Sequence, residues 1–426
     1  MTTSAELHVG DDVVLDITGI AHGGVSVARH SSGRVVFISD TLPGEQVRAR
    51  IIELKKNFAR AVTVQVLQPS PFRTAHVWAE ADISRDPQDR VGGAEFGHIA
   101  LGHQRDLKAQ VLRDALIRQG RIAADAVPNV SIDPLLGDDY ENGLGWRTRV
   151  SLHTDPETGI VGPYAARSHR VIPVKSLPLA SDQLSLIAPL DERMPDVTRV
   201  DLVAPSADDP RMLLTYRGEK APVGAADVVY EAVNNRDFQV RAGGFWQVHR
   251  GAAERLYGEV SAAVTALGDA VDPSGYNLDL YGGVGLLAAA FIDAAGERAK
   301  ITSIESVESA TDLAAENLAD FAGAQALTAK VEHYLRDLYK GSAIARDRLK
   351  KGTVVIDPPR AGAGNAVTGS LIALQPKNIV YVACDPVALA RDTQTLLAGG
   401  YDLLEMHGLD MFPHTHHFET IALFQR

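Results

Sequence analysis

The chain has 426 residues, more than one hydrophobic core accommodates at about 150 residues per domain, so roughly two to four domains are expected. Hydrophobic residues make up 45% and charged residues 23%, which is the balance of a folded soluble chain and excludes a disordered, collagenous or disulfide-scaffold protein. The formal charge of −12 argues against simple coating of polyanions, so charge is read locally. No run approaches the ~18 apolar residues of a membrane helix. The start MTTSAELHVG has neither the basic residues nor the apolar stretch of a signal peptide, so a cytoplasmic location without membrane association is expected. A single cysteine, Cys384, excludes an internal disulfide and any thiolate-ligated metal set.

Residues 1–70 alternate β-rich runs (VVLDITGI, VSVAR, RVVFISD, QVRARIIEL, AVTVQVLQ) with Gly-rich turns, the pattern of a small barrel. Between Ala28 and Arg73 eight basic residues stand against three acids, a local net charge of +5. Arg48, Arg50, Lys55, Lys56 and Arg60 alternate out of the expected barrel around Phe58, which suits RNA phosphates and a stacking base; a solvated strand face fits the charge pattern as well. The ITGIAHGGVSVAR opening and the LPGEQVRARI strand resemble a TRAM domain, an OB-like RNA-binding barrel.

Pro69 and Pro71 mark a boundary. After a polar stretch to about Gly97, Leu107, Val111, Ala115 and Leu116 predict a helix near residues 100–122. From about Val130 to Val240 the chain is β-rich again, and WRTRVSLHTD, PETG and IVGPYAARSHRVIPV predict a hairpin. Arg147, Arg149, Arg167, His169 and Arg170 crowd it, either to meet phosphates or as exposed strand residues.

The last third alternates short apolar strands with helices, which predicts a parallel sheet covered on both faces. In NLDLYGGVGLL a strand runs into Gly282, Gly283 and Gly285, and the next strand ends in Glu305, where doubly wound sheets offer an acid to a ribose diol. A third glycine for a dinucleotide fingerprint is missing. DLYGGVG instead resembles the first motif of S-adenosylmethionine-dependent methyltransferases, with Tyr281 beside the ligand or simply in the core.

Two more strand ends carry VVIDPPRAG and VYVACDPVALARD, so Asp357 and Cys384 are expected in the same crevice. A lone cysteine is by default a small hydrophobe, but the start of a helix just after Cys384 predicts a thiolate-favouring field. DPPRAG, YVACDPVALARDTQTL, DMFPHTHHFETIALF and GGFWQVH, in that set and spacing, resemble the RNA 5-methyluracil methyltransferase family over almost the whole chain. The resemblance implies Cys384 as nucleophile and Glu419 as base. It further implies Gln247, Tyr281, Gly283, Glu305 and Asp357 at the S-adenosylmethionine site.

The chemistry asks for these groups. Uracil C5 becomes nucleophilic once a thiolate adds at C6, and a carboxylate must then remove the C5 hydrogen. The chain departs from the family at the iron–sulfur site: Val91 and Ala94 stand where the local pattern has cysteines, and SLPLAS near Leu177 lacks another, which implies no cluster. Asp385 and His249 replace asparagines of the motifs. His414, His416 and His417 share one loop without an acid at ligand spacing, so no metal site is expected.

The sequence thus predicts a multidomain chain with an OB-like TRAM barrel at 1–70 and a β-rich central RNA-binding domain at 71–99 and 126–240. A doubly wound α/β class I methyltransferase domain is expected at 100–125 and 241–426. The expected activity is S-adenosylmethionine-dependent methylation of a uridine C5 in structured RNA by a monomer, with ribosomal RNA favoured over transfer RNA on family resemblance. RNA 5-methylcytosine methylation is an alternative, although the resemblance implies two cysteines for it. A catalytically retired RNA-binding protein is another, opposed by Cys384, Asp357 and Glu419.

Overall fold

A computed structural model describes residues 7–426. The expectation of a leaderless start at Met1–Glu6, and the first six positions of the 1–70 segment, lie outside the described residues. Strands β1 (Asp12–Ala21), β2 (Val25–Arg29), β3 (Val35–Ser39), β4 (Gln46–Leu54) and β5 (Phe58–Gln68) close into a barrel in the order β1-β2-β3-β5-β4. Alternation along β4 sends Val47, Ala49 and Ile51 inward and Arg48, Arg50 and Ile52 outward. Closure removes the free edges that strands this short would otherwise expose.

The barrel is docked on the chain that follows. Ile20 and Leu42 share an apolar cluster with Phe96, Ile99 and Leu107. Arg73 donates to both carboxylate oxygens of Glu45, at 2.6 and 2.9 Å, and Arg90 donates to Asp40 at 2.8 Å and to the Thr63 carbonyl at 2.9 Å.

Next come α1 (Leu101–Arg118), β6 (Ile132–Pro134), β7 (Arg149–Thr154), β8 (Val161–Gly162), α2 (Asp182–Ile187), β9 (Val197–Val203) and β10 (Arg211–Tyr216). The predicted hairpin is present as β7 paired with β8, within a four-stranded sheet ordered β10-β9-β7-β8. Helix α1 buries Leu107, Ala115 and Leu116 as the spacing predicts, and on the same side it buries the polar Gln104 and Lys108.

A two-stranded ribbon of β11 (Val228–Val233) and β12 (Arg236–Arg241) leads into α3 (Ala252–Leu267). Then β13 (Asn277–Leu280), α4 (Leu286–Ala295), β14 (Ile301–Glu305), α5 (Glu308–Asn317), β15 (Ala324–Thr328), α6 (Val331–Lys340) and α7 (Ala343–Leu349) follow in turn. The chain ends with β16 (Thr353–Ile356), α8 (Gly364–Leu374), β17 (Asn378–Ala383), α9 (Pro386–Ala398), β18 (Asp402–Asp410) and β19 (Glu419–Gln425). Eight strands form one sheet ordered β15-β14-β13-β16-β17-β19-β18-β6. Strands β13, β14, β16 and β17 are fully buried except at Glu305, as parallel strands under two helical layers must be.

Two parts of the expected central segment 126–240 sit elsewhere. Strand β6 adds to the edge of the eight-stranded sheet beside β18, because parallel pairing with Gly408–Asp410 satisfies an edge that would otherwise stand open. The β11–β12 ribbon packs Val229, Val233 and Phe238 into the core that holds Leu256 and Phe291, since a lone two-stranded ribbon cannot bury its own apolar face.

Burial works to raise the Glu45 carboxyl, and Arg73, Thr41 and the Leu42 N–H outweigh it, holding it below the usual carboxylate range. The stabilisation is therefore present above that range and lost as pH falls through the depressed value. Arg73→Ala strands a buried carboxylate and is expected to lower the unfolding free energy by about 3 kcal/mol at neutral pH. Urea unfolding should show that gap shrinking in acid, where Glu45 is protonated in both proteins.

Candidate active site

Strands β14, β13, β16 and β17 lie side by side and parallel, so the loops at their carboxyl ends open onto one crevice. From β13 the chain winds outward first to β14 and β15 and then to β16 and β17 on the other side, which makes the β13/β16 gap the switch point where such sheets take ligands. The glycine loop leaves β13, and Asp357 leaves β16 directly beside it. Gly282 has no alternative, since a Cβ there would meet Ser303 Oγ at 1.9 Å and Asp279 Oδ2 at 2.5 Å. Gly283 has φ of 53°, and Tyr281, which is not glycine, holds φ of 64°, so the loop is a strained turn.

Glu305, ending β14, accepts from Gly283 N at 3.3 Å, and its other oxygen takes the Ser306 and Val307 N–H groups at 2.6 and 2.8 Å. Tyr281 is half-buried against the adjoining core. Gln247 makes no side-chain hydrogen bond among the described residues; its neighbour Trp246 shares a core with Val284 and Leu286 of the glycine loop. The sequence-predicted cofactor residues Tyr281, Gly283, Glu305 and Asp357 therefore converge on adjacent strand ends, with Gln247 tethered to the same core.

Cys384 follows β17, and Glu419 opens β19. These strands run antiparallel with Ala383 opposite Thr420, so the register places Cys384 and Glu419 across from each other. Glu419 is 6% exposed, and its Oε2 is buried without a partner among the described residues. Burial, then the charge of Asp357, raise its carboxyl well above the ordinary value, while Arg360 pulls the other way. Burial and the neighbouring Asp279 push Asp357 up to about 7.

The thiolate-favouring field expected at Cys384 is not what the surroundings produce. Burial, followed by Glu419 and Asp357, pushes the thiol up to about 12, against a smaller opposite pull from Arg360. The helix terminus after Cys384 is already capped: Asp385 accepts from Val387 N at 3.0 Å and Ala388 N at 2.8 Å.

The basic residues divide. Arg50 pairs with Asp12 at 2.9 Å, and Glu53 takes both Lys55 at 2.6 Å and Arg60 at 3.3 Å. Arg48 donates to Gln65 at 3.1 Å, and all five basic residues of the barrel face are exposed. Arg149 is not an exposed strand residue: it donates to the Ala242 and Gly244 carbonyls, both at 3.0 Å, and pairs with the buried Glu231. A half-buried arginine with those partners ties β7 to the segment leading into Gln247. Arg147 lies with its guanidinium 4.9 Å from the Trp146 ring.

Several supports escaped the sequence reading. Asp279 is fully buried, accepts from Ser303 Oγ at 3.0 Å and leaves Oδ1 unpartnered among the described residues; burial pushes it up to about 7. His22, in the barrel's β1–β2 turn, pairs with Asp385 at 2.9 Å, and this contact raises its pKa. Gln104 and Lys108 hold the loop before Glu419: Gln104 meets His414 through backbone and ring, and Lys108 meets Asp410 and the Phe412 carbonyl. Their signal in the sequence was two polar residues, one turn apart, on the apolar face of a helix.

Residues 275–426 match the family described as tRNA (Uracil-5-)-methyltransferase, and residues 6–64 match the TRAM domain. An uncharacterized RNA methyltransferase of Streptomyces coelicolor is 33% identical over 449 residues, covering 98% of this chain and 93% of the relative. The 23S rRNA (uracil(1939)-C(5))-methyltransferase RlmD of Shewanella denitrificans is 29% identical over 470 residues, covering 96% and 95%. Among solved structures, the tRNA (uracil-54, C5)-methyltransferase of Pyrococcus abyssi, in complex with S-adenosyl-L-homocysteine, superposes with a TM-score of 0.68 at 18% identity, covering 97% of this chain and 100% of that one.

The acid cluster has a pH signature of known sign. Because Asp279 and Asp357 are raised to about 7, their share of stability is present below the ordinary carboxylate range and lost as pH rises through about 7. Thermal unfolding of the ligand-free protein should show a midpoint that falls over this window, and Asp279→Asn should flatten the fall. An unchanged pH slope in that variant would place the titration elsewhere.

Proposed function

This chain belongs to the tRNA (uracil-5-)-methyltransferase family with a TRAM domain and is an RNA uracil-C5 methyltransferase, and on that premise we propose that Cys384 and Glu419 carry the reaction through a covalent uracil intermediate. The observation that carries the proposal is the β17/β19 register, which sets one thiol and one unpartnered buried carboxyl against each other at the carboxyl edge of the sheet.

The residues fit S-adenosylmethionine. Gly282 and Gly283 leave the backbone bare, Glu305 stands at the strand end suited to a ribose diol, and Asp279 and Asp357 are buried acids whose ionised forms a cation would stabilise. Tyr281 opens this loop, and Gln247 follows Trp246, which shares a core with Val284 and Leu286. When bound, the cofactor supplies a methyl group on a positively charged sulfonium.

Cys384 loses its proton to solvent, to which it keeps partial access, helped by Arg360. The thiolate adds to uracil C6, and the electron pair released to C5 would take the methyl group as the methyl–sulfonium bond breaks and its sulfur becomes a neutral thioether. Glu419, in its ionised form and made more basic than an exposed carboxylate by burial, removes the C5 proton and afterwards yields it to solvent; the C6–S bond breaks and the thiolate is restored. The uridine must leave its stack to reach Cys384.

Ribosomal RNA is the proposed substrate class, supported by the resemblance to RlmD along nearly the whole chain. The enzyme is proposed to work without an iron–sulfur cluster: Val91, Ala94 and Leu177 lie together in an apolar core with Trp146, and the chain has one cysteine. Arg48 and Lys56, with Arg50, Lys55 and Arg60 released from their exposed pairs, form the proposed phosphate-binding face, since exposed pairs are screened by solvent and exchange readily for phosphates. Arg147 remains a proposed RNA contact, whereas Arg149 is committed to the protein.

Cys384→Ala is expected to abolish methyl transfer to ribosomal RNA while leaving cofactor binding by calorimetry nearly unchanged. Glu419→Gln should accumulate an RNA–protein adduct that survives denaturing electrophoresis, and ordinary turnover without adduct would remove Glu419 from the base role. Because the barrel is docked, its contribution is best measured in the intact chain: Arg48→Ala with Lys56→Ala should reduce the salt slope of RNA binding by about one per lost phosphate contact.

A further inference from the structure

Between the barrel and the central sheet lies a cavity of about 730 Å³, within the ~300–1,000 Å³ typical of small-molecule sites. Part of its wall is apolar, with Trp78, Val91, Ala94, Leu177 and Leu179. Arg147 lines it as well. Its backbone is fixed, with its N–H on the Leu179 carbonyl at 2.8 Å and its own carbonyl accepting from Ser181 at 2.9 Å. Its side chain, laid over Trp146, has neither a hydrogen bond nor an ion pair among the described residues, and its Nε is fully buried. Glu95, the carboxylate whose charge reaches it, pairs instead with His416 at 3.6 Å.

The terminal nitrogens of Arg147 are not closed off in this way and likewise have no partner among the described residues. Leaving a guanidinium without acceptors costs free energy, so this part of the wall suits an anionic group. The wall also carries His153 and Tyr164, stacked with centroids 3.7 Å apart, a π surface of the kind bases stack on. Arg167 lies exposed at the rim.

We propose that this cavity binds one nucleotide of the RNA substrate other than the target uridine, its phosphate on the Arg147 guanidinium and its base against the His153–Tyr164 stack. The position favours the RNA strand over a free nucleotide. Gly24 of the barrel lines the cavity and abuts His416, so closely that a Cβ would lie 2.8 Å from the histidine's Cβ; His416 belongs to the loop that runs into Glu419. A strand delivering a base to Cys384 thus passes this opening. The inference rests on the RNA-methylation reading and adds a recognition site to it.

The test uses the full chain with S-adenosylhomocysteine. Calorimetric titration with adenosine and uridine 5′-monophosphates, ribose 5-phosphate and inorganic phosphate should show that the nucleotides bind more tightly than either phosphate control. Arg147→Gln is expected to weaken nucleotide binding about tenfold or more, as loss of a charge-assisted hydrogen bond would, with partial rescue by Arg147→Lys. His153→Ala removes half of the stacking surface and should weaken nucleotide binding severalfold while leaving phosphate binding unchanged, which keeps the test decisive should Arg147→Gln prove unstable. On ribosomal RNA lacking the modification, both variants should raise KM and leave kcat near wild type. Nucleotide binding unchanged in both variants, phosphate binding as tight as nucleotide, or an unchanged KM would each overturn the proposal. Wild-type methylation measured in the same assay reports on the enzyme reading separately, so failure of one is not failure of the other.

Discussion

Three carboxyls and one thiol share a crevice from which water is largely removed, and they cannot all carry negative charge there. Asp279 is driven up by burial and Glu305, Asp357 by burial and Asp279, Glu419 by burial and Asp357, and Cys384 by burial and both Glu419 and Asp357. Within this set, Arg360 is the group that pulls Glu419 and Cys384 the other way. Burial thus favours the uncharged forms of these groups, whereas a cationic methyl donor would favour the charged ones. The strained Tyr281 turn and the bare glycine backbone beside Asp279 belong to the same arrangement, since they keep the space open that such a donor requires.

The barrel is fastened to this chemistry. Glu45 and Arg73 form a buried pair, Arg90 reaches back to Asp40 and Thr63, and Ile20 and Leu42 complete an apolar seam with the start of α1. One further contact reaches the candidate site itself: His22 meets Asp385, the residue beside Cys384 and the cap of α9. An Asn at position 385 could cap the helix equally well but could not form an ion pair with histidine, so the departure from the family motif at this position coincides with a domain contact.

Electrostatics for RNA are arranged on a chain of net charge −12. Exposed arginines and lysines on β4, β5 and their connection are held by exposed acids, pairs weak enough to exchange for phosphates. Buried arginines behave differently. Arg149 is saturated by two carbonyls and Glu231 and serves the fold, whereas Arg147, two residues away, is left with a π face and a cavity. What separates these two is the set of acceptors that the chain near Gly244 brings to Arg149 and not to Arg147.

Local periodicity and motif order determined much of this protein from sequence alone. The barrel strands, the β7–β8 hairpin, the buried face of α1, the strand–helix alternation and the glycine loop are written in patterns spanning a few residues, and Cys384, Asp357 and Glu419 stand in motifs whose order is legible without coordinates. Tertiary structure decided what depends on distant segments meeting. Strand β6 left the central region for the sheet edge at β18, the β11–β12 ribbon joined the catalytic core, Asp279 proved to be a partner of Asp357, and His22 reached across to Asp385. The state of Cys384 was decided there too: a helix start is visible in sequence, but the burial and the two carboxyls that outweigh it come from strands β16 and β19, and desolvation is a property of packing that no local pattern encodes.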